Sequence, residues 1–291
     1  MRFLGLEHPI INASGTFDAI AARRAFGDAL LERFPFAAFV TKTVTLAPRQ
    51  GNPPPRLYEL PAGLLNSIGL PNKGLEQFLL QDLPKLAELP VPLIVNVMGG
   101  SHDEVARLVG AVAERDEVTA LELNVSCPNV KTGLMFGADP DELADLLDAV
   151  RPLTAKPLIV KLTPNTASPA HVAAAAEQHG ADAVSLINTL RGMAPNPDRP
   201  GEPWLGGRTG GVSGPAIRAI ALAQVAEVRA RIGIPIVGMG GVQCGRHADD
   251  LLRAGADLVA VGTESFRDPL AGTRIRSELQ ANRAGRSVVP R

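Results

Sequence analysis

Cysteine is nearly absent: the chain of 291 residues has two, Cys127 and Cys244. Two thiols make no disulfide framework, and they cannot supply the four thiolates of a typical iron-sulfur cluster or of a cysteine-rich zinc site. Any such centre would have to sit on another chain. An excess of one charge is lacking as well, since 29 Lys and Arg stand against 30 Asp and Glu, a formal net charge of -1. No long-range field therefore favours nucleic acid or an anionic membrane surface. Long hydrophobic runs are missing too. The opening "MRFLGLEHPIINASG" meets Glu7 and His8 before any signal-length apolar stretch, and no window approaches the span that a membrane helix needs. The expected location is the cytoplasm. The five histidines, His8, His102, His171, His179 and His247, fall in helix or loop stretches rather than together at strand ends, so no metal site is expected.

What the chain does have is apolar material for a core, with 45% hydrophobic against 20% charged residues. Eight short β-rich runs recur: "PIINASG", "AAFVTKT", "PLIVNVMGG", "ALELNVSCP", "PLIVKLTPN", "DAVSLINT", "IPIVGMGG" and "DLVAVGT". Between most of them lie segments with helical spacing, such as "DELADLLDAVRPL", "HVAAAAEQHG" and "HADDLLRAGA", several closing on Gly. The runs are continuously apolar rather than alternating, which marks strands covered on both faces, as in a parallel sheet. Eight such units without a linker-like break predict one α/β domain over residues 1–291, a closed (β/α)8 barrel, with a doubly wound open sheet as the alternative. Residues 45–91 and 189–213 are too long for bare connections, and both leave strand ends on the face where barrel sites form.

Nearly every predicted strand ends in small or polar residues: Ala13, Ser14 and Gly15; Lys42 and Thr43; Asn96; Asn124, Ser126 and Cys127; Lys161; Asn188 and Thr189; Gly240 and Gly241; Gly262 and Thr263. Polar strand ends are ordinary where loops begin. Lys42 and Lys161, however, each follow a buried-looking apolar run, where an unpaired ammonium is costly, and two inward lysines imply an anionic or electron-rich ligand. "GMGGV" and the final "GT" offer backbone N–H groups unobstructed by side chains, suited to a phosphate. "TGGVSGPAI" reads as a further Gly-rich turn, with Ser213 capping a long helix and Pro215 in its first turn. Cys244, inside "GVQCGRHADD" at a helix start and away from the polar strand ends, reads as an inert thiol. Cys127 sits among Asn124, Ser126 and Asn129, placed to act as a general base or nucleophile, and with no histidine in its motif proton abstraction is preferred.

Taken in order, "NASGTF", "KT", "NSIGLPN", "NVSCPN", "VKLTPN", "INT", "GGVSGPAI", "GMGG" and "VGT" resemble dihydroorotate dehydrogenases of class 1, whose base is cysteine, from about Pro9 to Pro269. Class 2 members place serine where Cys127 stands. The resemblance implies one FMN per chain, its phosphate held around Gly214, Gly240, Gly241, Gly262 and Thr263 and its ring lined by Ala13, Ser14, Lys42, Thr43, Asn96, Asn124 and Lys161. It implies a dihydroorotate/orotate site at Lys42, Asn66, Gly69, Leu70, Asn124, Asn129, Asn188 and Thr189. It further implies that Cys127 takes a proton from C5 while a hydride leaves C6 for the flavin, with Lys161 offsetting the negative charge that develops.

"CPNVK" and "INTLRGM" resemble subclass B, in which this chain pairs with a subunit carrying FAD and a 2Fe-2S cluster that passes electrons to NAD+. A homodimer, or a heterotetramer of two of each chain, is the expected assembly. The loop "VKTGLMFG" lacks the Gly-Gly pair usual in subclass B, and the segment before "NASG" is short. Three alternatives stand beside this reading: a fumarate-using subclass A enzyme, an enzyme similar to dihydropyrimidine dehydrogenase, and a non-catalytic barrel binding a phosphorylated ligand.

Overall fold

The computed structural model describes residues 3–126 and 136–286. Its strands are β1 (Ile10–Asn12), β2 (Phe39–Val40), β3 (Leu57–Leu60), β4 (Gly63–Asn66), β5 (Leu93–Val97), β6 (Ala120–Asn124), β7 (Leu158–Lys161), β8 (Ala183–Leu186), β9 (Leu190–Gly192), β10 (Gly210–Ser213), β11 (Ile236–Met239) and β12 (Leu258–Val261). Each of the eight apolar runs read from the sequence contains one strand of a single parallel sheet, ordered β1, β12, β11, β8, β7, β6, β5, β2. The two end strands then meet. Ala37 N donates to Ile10 O at 2.9 Å. The Asn12 side chain completes the seam, donating through Nδ2 to Val40 O and accepting from Val40 N, both at 2.8 Å. A side-chain amide thus replaces a rung of backbone ladder and closes the sheet into a barrel.

Helices cover the outside. After β1 come α1 (Ala19–Phe26) and α2 (Ala29–Glu32), and after β4 come α3 (Gly74–Gln77) and α4 (Leu83–Leu86). The remainder are α5 (His102–Ala113), α6 (Pro140–Val150), α7 (Pro169–Gln178), α8 (Arg218–Arg229), α9 (Gly245–Ala254) and α10 (Ala271–Arg286). Local chemistry explains several starts and stops. Asp139 accepts from the backbone of Asp141 and Glu142, Pro140 occupies the first turn of α6, and α9 ends at Gly255 with φ 117°. The face of α6 that packs inward is Leu143, Leu146, Leu147 and Val150, at helical spacing, each worth about 1.5–3 kcal/mol of burial.

Parity along each strand separates two cores. Leu93, Val95 and Val97 of β5 point outward to the helices, while Ile94 joins an interior cluster with Ile11, Ala38, Val40, Ala120 and Ile159. Small and large side chains alternate there and fill the barrel.

The two long connections do not remain loops. Residues 45–91 contribute β3 and β4, residues 189–213 contribute β9 and β10, and together they form a four-stranded antiparallel sheet ordered β3, β4, β10, β9. Its register sets Asn66 opposite Gly211 and Gly211 opposite Arg191. Leu65, Ala194 and Leu205 form its small core, with Trp204 and Tyr58 against them. One sequence expectation is corrected here. Ser213 caps no helix: it ends β10, Pro215–Ile217 form a 3-10 turn, and α8 begins at Arg218. The β-pairing of Gly210–Ser213 with β4 holds that segment extended, so the helix starts later.

Candidate active site

The interior parity continues beyond the apolar layer, and its chemistry changes there. Two residues after the inward Ile94, Ala120, Ile159 and Ala183 come Asn96, Glu122, Lys161 and Ser185. The parallel registers pair Asn96 with Glu122 and Lys161 with Ser185, so four adjacent strands turn polar together toward their C-terminal ends. All four are buried. Glu122 accepts from Asn96 Nδ2 at 2.6 Å and from Ser185 Oγ at 2.8 Å. Lys161, 6% exposed, has no hydrogen-bond or ion-pair partner among the described residues. A buried ammonium so placed calls for an electron-rich group beside it.

Above this floor Asn124, at the end of β6, is paired in register with Lys161. The chain after β8 returns to it: Asn188 Nδ2 donates to Ser126 Oγ at 3.0 Å and lies 3.4 Å from Asn124 Oδ1, while its own Oδ1 accepts from Thr189 N at 2.8 Å. Asn165 fixes that chain further, donating to Thr189 O at 3.0 Å and accepting from Arg191 N at 2.9 Å. Asn66 reaches the same region from the second sheet, its Nδ2 donating to Gly211 O at 3.1 Å. A Cβ on Gly211 would stand 2.0 Å from Thr189 Oγ1, so glycine is required for the two segments to meet. Gly69 and Leu70 follow in a tight turn with φ 74° and 55°. Asn72 ties that turn down, donating to Leu70 O and to Thr45 Oγ1, both at 2.9 Å.

The glycines gather on the opposite side. Gly214, Gly240 and Gly241 have φ of 85°, 130° and 71°, a region that other residues adopt only under strain. A Cβ on Gly241 would lie 3.0 Å from Gly214 O, and one on Gly214 would lie 3.5 Å from Thr263 Cγ2. Thr263 Oγ1 donates to Ser213 Oγ at 2.9 Å, and a Cβ on Gly262 would meet that of Ala13 at 3.6 Å. Gly214, Gly241 and Thr263 thus lie together as a cradle whose glycines carry no side chain of their own, as an anionic group that binds to peptide N–H requires.

Ala13 and Thr43 are buried, and Ser14 Oγ donates to Thr41 O at 2.8 Å across the barrel seam. Lys42 departs from expectation. It is exposed at the mouth rather than buried, yet partial desolvation, with Arg56 adding to it and Asp18 opposing, holds its ammonium below the ordinary lysine value. A cavity of about 790 Å³ opens beside it, walled by Phe17, Phe39, Val44 and Phe78. Cys127 and Asn129 lie outside the described residues. Sequence reading missed Asn12, Glu122, Asn165 and Ser185. Glu122 carried a signal, a lone carboxylate between Leu121 and Leu123 in a run otherwise fit for a buried strand.

Comparison with known proteins gives this geometry a context. A crystal structure of DHODH in complex with ferulenol from Eimeria tenella shares the fold, with a TM-score of 0.76 at 23% identity over 95% of this chain and 82% of that one. Relatives named dihydroorotate dehydrogenase B (NAD(+)), catalytic subunit, are much nearer in sequence. That of Pelobacter propionicus is 44% identical over 95% of this chain and 90% of its own. Those of Bacillus mycoides and Trichlorobacter lovleyi are each 43% identical, over 96% and 98% of this chain and 89% and 92% of their own. The family model described as Dihydroorotate dehydrogenase matches residues 2–282. This chain belongs to the dihydroorotate dehydrogenase family.

Proposed function

We propose that this chain oxidises dihydroorotate to orotate in pyrimidine biosynthesis, with FMN as its bound cofactor and NAD+ as the final acceptor through a partner subunit. The observation that carries the reading is the convergence, at one barrel mouth, of the inward Lys161, the Asn124–Asn188 pair and the glycine cradle. The cradle fits a phosphate, and the floor fits a polar planar ring: Asn96 Oδ1 is buried without a donor, and Lys161 offers charge from the same floor. FMN, when bound, supplies the acceptor for the two electrons and the hydrogen that leave C6. Gly214, Gly240, Gly241, Gly262 and Thr263 hold its phosphate, while Ala13, Ser14, Lys42, Thr43, Asn96, Asn124 and Lys161 line its ring.

The substrate lies among Lys42, Asn66, Gly69, Leu70, Asn124, Asn129, Asn188 and Thr189. Asparagine amides offer both donors and acceptors to a pyrimidinedione, and Lys42 offers charge to the carboxylate. Cys127 takes the proton from C5, and Lys161 places positive charge where negative charge develops. The names of the relatives support the NAD+ route. With only two cysteines here, the 2Fe-2S cluster and FAD belong to the partner, in a heterotetramer built on a homodimer of this chain. No helix among the described residues is long and apolar enough to cross a membrane, which suits a cytoplasmic assembly.

The test is anaerobic. The purified chain is expected to carry yellow FMN whose absorbance bleaches with dihydroorotate and not with dihydrouracil. Recolouring by NAD+ is expected only when the partner is added. Recovery with fumarate alone would overturn the NAD+ assignment, and a chain that binds FMN without bleaching would overturn the enzyme reading.

A further inference from the structure

The mechanism above leaves one charged side chain of the interior unused. Glu122, 3% exposed, faces inward on β6, and both of its carboxylate oxygens accept hydrogen bonds, from Asn96 Nδ2 and Ser185 Oγ. An oxygen that accepts must face the NH2 end of an amide, so Glu122 dictates which way Asn96 is turned. Asn96 Oδ1 then carries the remaining lone pairs, buried and without a partner. A buried polar atom left unmet is rare, and this one is neither an accident of a loop nor near the surface. The partner of Asn96 in register is Glu122, and Lys161, two residues beyond the Ile159 that pairs with Glu122 on the next strand, is the other charged group of the floor.

We propose that Glu122 is a positioning residue for the flavin site. It holds Asn96 so that the amide presents an acceptor to the ring, and it keeps a negative charge in the interior shared with Lys161. This rests on the FMN reading above. A glutamine in its place can itself donate, which frees Asn96 to turn, and it removes the charge. Loss of negative charge near the ring favours the more electron-rich state of the cofactor.

The experiment uses the full chain stripped of FMN and titrated with it, together with the midpoint potential of the reloaded protein. Glu122→Gln is expected to weaken FMN binding at least tenfold and to raise the equilibrium constant for flavin reduction about tenfold, a positive shift of about 30 mV for a two-electron couple. Glu122→Asp, which keeps the charge, is expected to stay near the wild-type potential. Asn96→Leu should weaken FMN as much as Glu122→Gln, and the double variant no further, because one residue acts through the other. Far-UV circular dichroism and thermal melts establish that each variant folds. If Glu122→Gln does not fold, Ser185→Ala removes one of the two restraints and is expected to weaken FMN about threefold. A folded Glu122→Gln, or in its absence Ser185→Ala, that matches wild type in both affinity and potential overturns the proposal, as does an additive double variant. If wild type itself takes up no FMN, the parent reading fails and this one with it, whereas a wild type that binds and bleaches beside an unaffected variant sinks this proposal alone.

Discussion

Replacing Asn12 by alanine should loosen the barrel at the seam between β1 and β2, which the Asn12 side chain closes with two hydrogen bonds. Val40 is 2% exposed, and its N–H and C=O both turn toward β1, where Asn12 meets each at 2.8 Å. On its other edge β2 is already paired, through Phe39 N to Pro92 O and Thr41 N to Ile94 O. Asn12→Ala therefore strands one buried donor and one buried acceptor, at about 1–3 kcal/mol each, or about 2–6 kcal/mol together. A chain of this length has a melting entropy of about 0.6 kcal/mol/K, so the melting temperature should fall by roughly 3–10 °C. Asn12→Asp should do no better, since it keeps an acceptor for Val40 N, loses the donor to Val40 O and buries a charge.

The functional consequence should precede the global one. β1 runs into Ala13 and Ser14 and β2 into Lys42 and Thr43, four residues assigned to the flavin, and near the mouth Ser14 Oγ to Thr41 O backs up the amide across the seam. FMN loss on heating, followed by flavin fluorescence, should therefore begin further below the melting temperature in Asn12→Ala than in wild type. A variant that melts within about 1 °C of wild type and holds FMN to the same point would refute the claim that this amide closes the barrel.

Four further outcomes are expected. Cys127→Ala should retain FMN but bleach with dihydroorotate about 10²–10⁴-fold more slowly, as loss of a general base requires, and stopped-flow absorbance measures it. Gly211→Ala should drive Thr189 away, the added Cβ lying 2.0 Å from its Oγ1, and raise KM for dihydroorotate about tenfold with FMN affinity unchanged. Lys42, its ammonium held below the ordinary lysine value chiefly by desolvation, should lose charge at a lower pH than a free lysine. The alkaline rise of KM for this carboxylated substrate should then have its midpoint below that of a free lysine in wild type and be missing from Lys42→Met. His8, held at about 4 by burial with Arg276 adding and Glu7 opposing, stays neutral in the fold while the unfolded chain takes a proton near 6.5. The stabilisation it brings is complete above 6.5 and lost as pH falls toward 4, so urea midpoints should show a loss of up to about 2 kcal/mol by pH 5 that His8→Gln lacks.

The barrel was legible because all eight of its strands are buried on both faces, which turns them into continuous apolar runs that no loop or amphipathic helix resembles. The same property hid the floor of the site. Where the outward positions are apolar throughout, as Leu93, Val95 and Val97 are, the inward change from Ile94 to Asn96 reads as one polar residue near a strand end. Only the register shows that Asn96, Glu122, Lys161 and Ser185 change together. The strand-end lysine was legible for Lys161, whose neighbours bury it, and misleading for Lys42, because β2 is two residues long and releases the chain to the mouth at once.

The second sheet lay beyond sequence reading for a different reason. Gly210 and Gly211 carry no strand propensity, and their pairing with β4 depends on residues about 145 positions away in the chain. Yet that pairing carries part of the proposed substrate site. Asn66 comes from the first connection and Thr189 from the second, and Gly211 joins them, accepting from the Asn66 amide while leaving room for the Thr189 side chain. The two connections that look like independent insertions therefore act as one unit. Lengthening either should displace both Asn66 and Thr189, and a chimaera that exchanges only residues 45–91 with a relative should lose dihydroorotate affinity that exchanging both segments restores. Recovery with the first segment alone would mean that the contact at Gly211 is incidental to substrate binding.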